Sequence, residues 1–442
     1  MRHGARAGLA PALASELALH ALGWLAAGCA VGLLLALLLA WPAGNALLAP
    51  LTYGRWASLH LDLLLYGWLA LPLVGLLLRH YLPGAAGRGP GRIALAGWSG
   101  ALGAGAVAWL GGGSSGKLFL DWRGPVEILF LGALALLWGA LAFGFARDFA
   151  RGPRRPARET VMRAALLLAL AMAPVAMALA LDPRRYPPID PTTGGPTGTD
   201  LLASTLAILP LFLALPTLLG LERTPRAPRL VHLWTLFAAH ALLLPAFGLG
   251  DQPHTSPRQI AAIASVLVWP LPLARHLLGH VWPAGSRRWL AALGAWGTLL
   301  AGSALVTYLP GVLDRVKFSH ALVGHAHLAM AGFSSALAAL VLHALLADSG
   351  AASPLAAPRP FALWQAGAAL QVLALVALGA LEAGDPALLA RADPRVALLF
   401  ALRGVAGVAM FAAALGWLSA VWRECAAGIG PERWPAPVEE GA

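Results

Sequence analysis

Charge is scarce in this sequence. Only 12% of its 442 residues are Asp, Glu, Lys or Arg, about half of the roughly 25% usual in soluble domains, which excludes a soluble enzyme with polar surfaces. Cysteine is nearly missing. Cys29 lies in an apolar stretch and Cys425 near the C-terminus, and two such residues make no disulfide framework, zinc site or CxxCH motif. A signal-peptide cleavage site is lacking too: the first apolar run follows Arg2 and Arg6 but extends over about 19–41, too long for a secretory core, and reads as a retained first span. Internal repeats and soluble domains are absent. What remains is 59% hydrophobic, with a mean hydropathy of +0.72, so most helical faces must meet lipid or one another.

Apolar runs of about 20 residues bounded by charges or Pro/Gly clusters fall at roughly 19–41, 56–82, 93–112, 125–146, 161–181, 200–220, 230–249, 260–280, 289–309, 319–346, 361–381 and 396–421. Twelve spans predict an all-α integral membrane bundle, a single polytopic domain over 1–442. With the N-terminus inside, twenty Lys and Arg fall on inner segments and ten on outer ones, and Arg403 lies within the last span. That bias predicts that both termini are cytoplasmic. It also explains the formal charge of +11 as topology, which removes nucleic acid as a partner and leaves the lipid bilayer. The longest outer loop, 182–199, is rich in Pro, Gly and Thr and reads as an irregular cover.

Thirteen histidines are present, and an ionisable group deep in a span suggests a function by default. His3, His80, His254, His276, His280 and His320 stand at or near span ends, His20 and His343 within a turn or two of one, and His232 opens the seventh span beside Arg229. All nine read as solvated or interfacial. His60, His240, His325 and His327 remain. His60 sits about 8 Å into the second span, and His325 and His327 about 12–15 Å into the tenth, which runs the same way. Residues two apart on a helix point about 200° apart, so His325 and His327 cannot grip one ion together but can serve two sites. An iron porphyrin takes one axial imidazole or two from opposite sides. The plain alternative is a set of buried histidines bonded to carbonyls.

Several local patterns carry a family resemblance. They are Gly54, Arg55 and His60 followed by Asp62 in the second span, Gly324-His325-Ala326-His327 with Gly332-Phe333 in the tenth, Val231-His232-Leu233-Trp234 opening the seventh, Arg403 with Gly407 in the twelfth, and Trp122 with Pro125-Val126-Glu127-Ile128 entering the fourth. Over nearly the whole chain these resemble subunit I of the haem-copper oxidase superfamily, above all the C family of cbb-haem cytochrome c oxidases. The resemblance implies that His60 and His327 are the axial ligands of a low-spin haem b, that His325 is the proximal ligand of a second haem b, and that Arg403 lies near a haem edge, where it would offset propionate charge.

The chain also departs from that pattern. The family's copper takes one histidine from the sixth span and an adjacent pair from the seventh. Here the sixth span has none, and Ala246 and Phe247 stand where the pair should be. Imidazole is the usual ligand for copper or non-haem iron, so copper is not expected and independent oxygen reduction is disfavoured. His240 occupies the position of the C family's active-site tyrosine; it either reaches the second iron as a sixth ligand or is a core histidine donating to a neighbouring helix carbonyl. Thr235, Ser265, Ser303, Thr307, Gln365 and Gln371 assemble into no proton channel. The resulting expectation is an electron-transfer subunit of a respiratory complex in a bacterial-type cytoplasmic membrane, working with other membrane subunits and a quinol or cytochrome c donor. Its rivals are a terminal oxidase or nitric oxide reductase with a divergent distal site, and a haem-free structural or transport subunit.

Overall fold

A computed structural model describes residues 8–151, 156–184, 201–247, 256–385, 387–391 and 393–428. The described residues are mostly helical and contain no β-strand. Eleven helices are long and apolar enough to cross a membrane: α1 (Pro11–Ala40), α2 (Tyr53–Tyr81), α3 (Ala85–Leu110), α4 (Pro125–Ala150), α5 (Ala157–Leu181), α7 (Leu230–Phe247), α8 (Pro257–Leu278), α9 (Ser286–Thr307), α10 (His320–Ser349), α11 (Pro358–Gly384) and α12 (Pro394–Gly428). The sixth apolar run forms α6 (Leu201–Leu218), whose apolar stretch Thr205–Leu218 is shorter. The chain is thus a multi-pass helical membrane protein. Most of the outer loop 182–199 lies outside the described residues.

Helix ends differ from the hydropathy estimate where local chemistry sets them. α1 starts at Pro11, eight residues before the expected 19, because proline at the first helical position costs no hydrogen bond and has its φ preset. α12 runs seven residues past 421. Prolines also explain the interruptions. α5 turns at Met172 before Pro174, and α8 passes through a 3-10 turn at Val266–Val268 before Pro270, since proline cannot donate to the preceding turn.

Burial ranks the helices. In α10 and α2, 72% and 61% of the most apolar window is buried, against 6% in α5 and 11% in α7. α10 and α2 therefore form the centre, and α5 and α7 the lipid-facing rim. Every side chain from Ser335 to Leu346 is buried, which requires protein on all sides of that stretch. α1 packs along α2, α3 and α12, and α11 along α10 and α12. α6, α7 and α8 meet in a separate apolar cluster around Leu213, Leu233 and Trp269.

Candidate functional site

α2 and α10 are built alike around their histidines. His60 and His327 are each seven residues beyond the first residue of their helix, a depth of about 10 Å. Shortly after each histidine comes a seven-residue π-helical segment, Leu63–Leu69 in α2 and Leu328–Ser334 in α10. In α2 the widened turn has a clear cause: Pro72 has no N–H to give Trp68 and its ring would strike that carbonyl, a conflict that an i→i+5 segment relieves. Such segments gather at functional sites. Beyond them α2 and α10 pack closely, α10's Ser335–Ser349 against α2's Ala70–Tyr81. The halves bearing the histidines have at most marginal backbone contact with each other.

Each histidine is anchored by one nitrogen and free at the other. The His60 Nδ1–H donates to the Gly28 carbonyl of α1 at 2.8 Å, and the His327 Nδ1–H donates to the Val323 carbonyl one turn back at 2.9 Å. A carbonyl only accepts, so in the neutral ring the lone pair is on Nε2. No described group bonds to either Nε2. Gly32 makes room for the His60 ring: a Cβ there would lie 2.6 Å from Cε1. The two imidazoles are within Coulombic reach of each other.

Arg403 of α12 faces the same region. It is 6% exposed and within Coulombic reach of His327, Tyr53 and Glu382. Its Nε and Nη1 are buried without a hydrogen-bond partner, although buried donors are nearly always satisfied. Glu382 is engaged elsewhere, accepting from the His320 backbone N–H (2.7 Å) and pairing with His320 Nδ1 (2.8 Å) at the start of α10.

His325 points away from this pair. Its Nδ1 donates to Ser303 Oγ of α9 at 3.1 Å, while that hydroxyl donates to the Leu300 carbonyl, so its Nε2 is free as well. His240 is different. The Trp269 indole N–H donates to His240 Nδ1 at 2.8 Å, and His240 Nε2–H donates to Ser265 Oγ at 2.8 Å. With both nitrogens engaged inside the α6–α8 cluster, His240 offers a metal no lone pair; its partners are a hydroxyl and an indole rather than the helix carbonyl expected of a core histidine. The structure thus brings together His60, His327 and Arg403, turns His325 toward α9, and keeps His240 apart.

Three histidines expected at a solvated interface are buried instead. His276 and His280 are 3% and 7% exposed and bond to the carbonyls of Leu213 and His276, respectively. His343 is 2% exposed and bridges Ser353 and the Ala284 carbonyl. Helix α6 packs against His276, and loop groups of Ala284 and Ser353 bind His343; span-end position reports neither.

A polar group outside the expected set lies on α2, two residues past His60 and so turned to another side of the helix. Asp62 is fully buried, and neither of its carboxylate oxygens has a hydrogen-bond partner. It lies within Coulombic reach of Asp121, which ties the 111–124 loop by accepting from Ser114 Oγ and from the Ser115 and Gly116 backbone N–H groups. An acid inside an apolar run was the available signal for Asp62; nothing in the sequence points to Asp121 beside it. Trp122 closes this pocket, stacked on Phe130 with ring centroids 4.1 Å apart.

No protein-family profile matches the chain, and no curated protein matches it.

Proposed function

We propose that this chain is a haem-binding electron-transfer subunit with the architecture of a haem-copper oxidase subunit I, closest to the cbb-haem cytochrome c oxidases. The carrying observation is the pair His60 and His327: equal depth on the two central helices, Nδ1 anchored to a backbone carbonyl, Nε2 free. Metal-bound histidines have this arrangement, in which a second hydrogen bond fixes the tautomer and the ring plane. The residues present fit a haem b. Two neutral imidazoles supply axial ligands, Gly32 leaves space beside the His60 ring, and the unpartnered guanidinium edge of Arg403 suits a propionate. Bound there, a haem supplies one-electron transfer at a potential set by its axial ligands and burial.

The chain's own residues have distinct tasks. Gly28 and Val323 hold the two rings in orientation through their carbonyls. α1, α2 and α10 keep water from the site with their apolar walls. His325, held by Ser303, is the proximal residue for a second haem b on the α9 side of α10. Ala246 and Phe247 carry no metal-binding side chain, so the proposal includes no copper and assigns the chain to passing electrons from a quinol or cytochrome c donor to partner subunits, in a bacterial-type cytoplasmic membrane.

A reduced-minus-oxidised spectrum of purified protein, with pyridine haemochrome and metal quantification, tests this. Two b haems per chain are expected, with the low-spin α band lost in both His60→Ala and His327→Ala. Lack of a Soret band in the wild type, or an unchanged α band in both variants, would falsify the assignment.

A further inference from the structure

We infer that the Trp68–Ser335 hydrogen bond is a register lock between α2 and α10, and that Trp68 and Ser335 are positioning residues for whatever His60 and His327 hold between them. The register follows from the packing alone; only its purpose rests on the haem reading.

Trp68 and Ser335 each lie eight residues beyond the histidine of their helix, about 12 Å farther along it. The Trp68 indole N–H donates to Ser335 Oγ at 2.9 Å, and these residues are 2% and 3% exposed. Ser335 Oγ in turn donates to the Met330 carbonyl at 2.8 Å, five residues back, inside the π segment of α10. One hydroxyl therefore closes the π turn of α10 and receives a side chain from the π segment of α2. Two helices whose turns are both widened at the same level have lost the regular ridges that normally set their mutual rotation and height. A slip of one residue would move a histidine by about 1.5 Å and turn it by roughly 100°. A rigid, buried indole bonded to a hydroxyl that is itself tied to backbone fixes both quantities where the close packing of the two helices ends.

A second tie lies farther along the same helices. Arg79 grips Asp348 in a bidentate pair, 2.7 Å from Nε and 3.1 Å from Nη2. Arg79 is eleven residues past Trp68, about 16 Å. These two attachments make a frame from which the histidine-bearing halves project. The Arg79–Asp348 pair sets the distant ends, while Trp68–Ser335 is the nearer of the two to the histidines and governs their angle.

The test uses full-length protein in lipid nanodiscs, with spin labels at Thr52→Cys and Phe318→Cys in a Cys29→Ser/Cys425→Ser background. Electron–electron distance measurements are read alongside the low-spin haem resonance. Loss of one buried hydrogen bond should raise misregistered conformers about fivefold. Ser335→Ala and Trp68→Phe should each broaden the distance distribution and shift the haem resonance. The double variant should be no worse than the worse single one, as expected of two partners in one bond, and Ser335→Thr, which keeps the hydroxyl, should restore both signals. Ser335→Ala removes a single oxygen and decides the matter if Trp68→Phe fails to accumulate. An unchanged distance distribution in Ser335→Ala overturns the register lock whether or not haem is present. A wild type without haem overturns the functional reading alone and leaves the distances to judge the lock.

Discussion

Arg403→Met should have effects of opposite sign on the haem-free and the haem-loaded protein. In the structure the guanidinium is 6% exposed and buries Nε and Nη1 without acceptors. Each unsatisfied buried donor costs about 1–3 kcal/mol, so two cost about 2–6 kcal/mol. Methionine keeps most of the aliphatic packing but loses the cation–π contact over Phe400, where the guanidinium carbon stands 5.4 Å from the ring centroid. Against the gain stands the lost attraction to Glu382, which still has its two bonds to His320. The net expectation is that haem-free Arg403→Met is more stable than wild type by about 2 kcal/mol. In the loaded protein the same nitrogens would bond a propionate, and a charge-assisted bond contributes about 1.5–3 kcal/mol, so haem should leave the variant roughly 10- to 100-fold faster. Thermal unfolding of protein expressed with and without haem supply, and haem transfer to an excess of a high-affinity apoprotein trap, measure the two effects. A variant equally destabilised in both forms would refute this, because it would mean that Arg403 is a structural cation with partners of its own.

Further consequences follow for other residues. Arg79→Ala should cost about 3 kcal/mol, near the lower end for breaking a buried ion pair, since Asp348 retains 26% side-chain exposure; removing Asp348 as well should recover part of it, read as the coupling in a double-mutant cycle of unfolding midpoints. His280, just past the end of α8, is held below the ordinary imidazole range by burial, and Arg223 adds to this. As pH falls below about 6.5 the unfolded chain takes up the proton first, so stability should decline from pH 7 to pH 5.5, and His280→Asn should flatten that slope; a slope unchanged in the variant excludes His280 as a contributor. Carbon monoxide should bind the reduced wild type and His240→Ala alike, because both His240 nitrogens are already engaged; binding that appears only in the variant would make His240 an axial ligand.

The amino-acid sequence alone determined the apolar runs, because hydropathy is a property of each segment and a backbone in lipid must satisfy its hydrogen bonds within its own helix. Each of the twelve runs is mostly helical over its described residues, and errors at their ends trace to local features such as Pro11. That His60, His325 and His327 share one half of the membrane was legible for the same reason, since helical rise turns residue count into distance; the equal depth of His60 and His327 emerged only with the helix starts at Tyr53 and His320. Tertiary structure decided the rest. Lipid and protein interior are equally apolar, so composition cannot say that α10 is enclosed and α5 exposed, or that His276, His280 and His343 are covered. Which lone pair a histidine keeps depends on acceptors far away in sequence: the Gly28 carbonyl leaves Nε2 of His60 free, whereas Trp269 and Ser265 occupy both nitrogens of His240. The π segment of α2 follows from Pro72 within its own helix, whereas the Trp68–Ser335 bond, between residues 267 apart, exists only once the two helices meet and leaves no periodicity in either one.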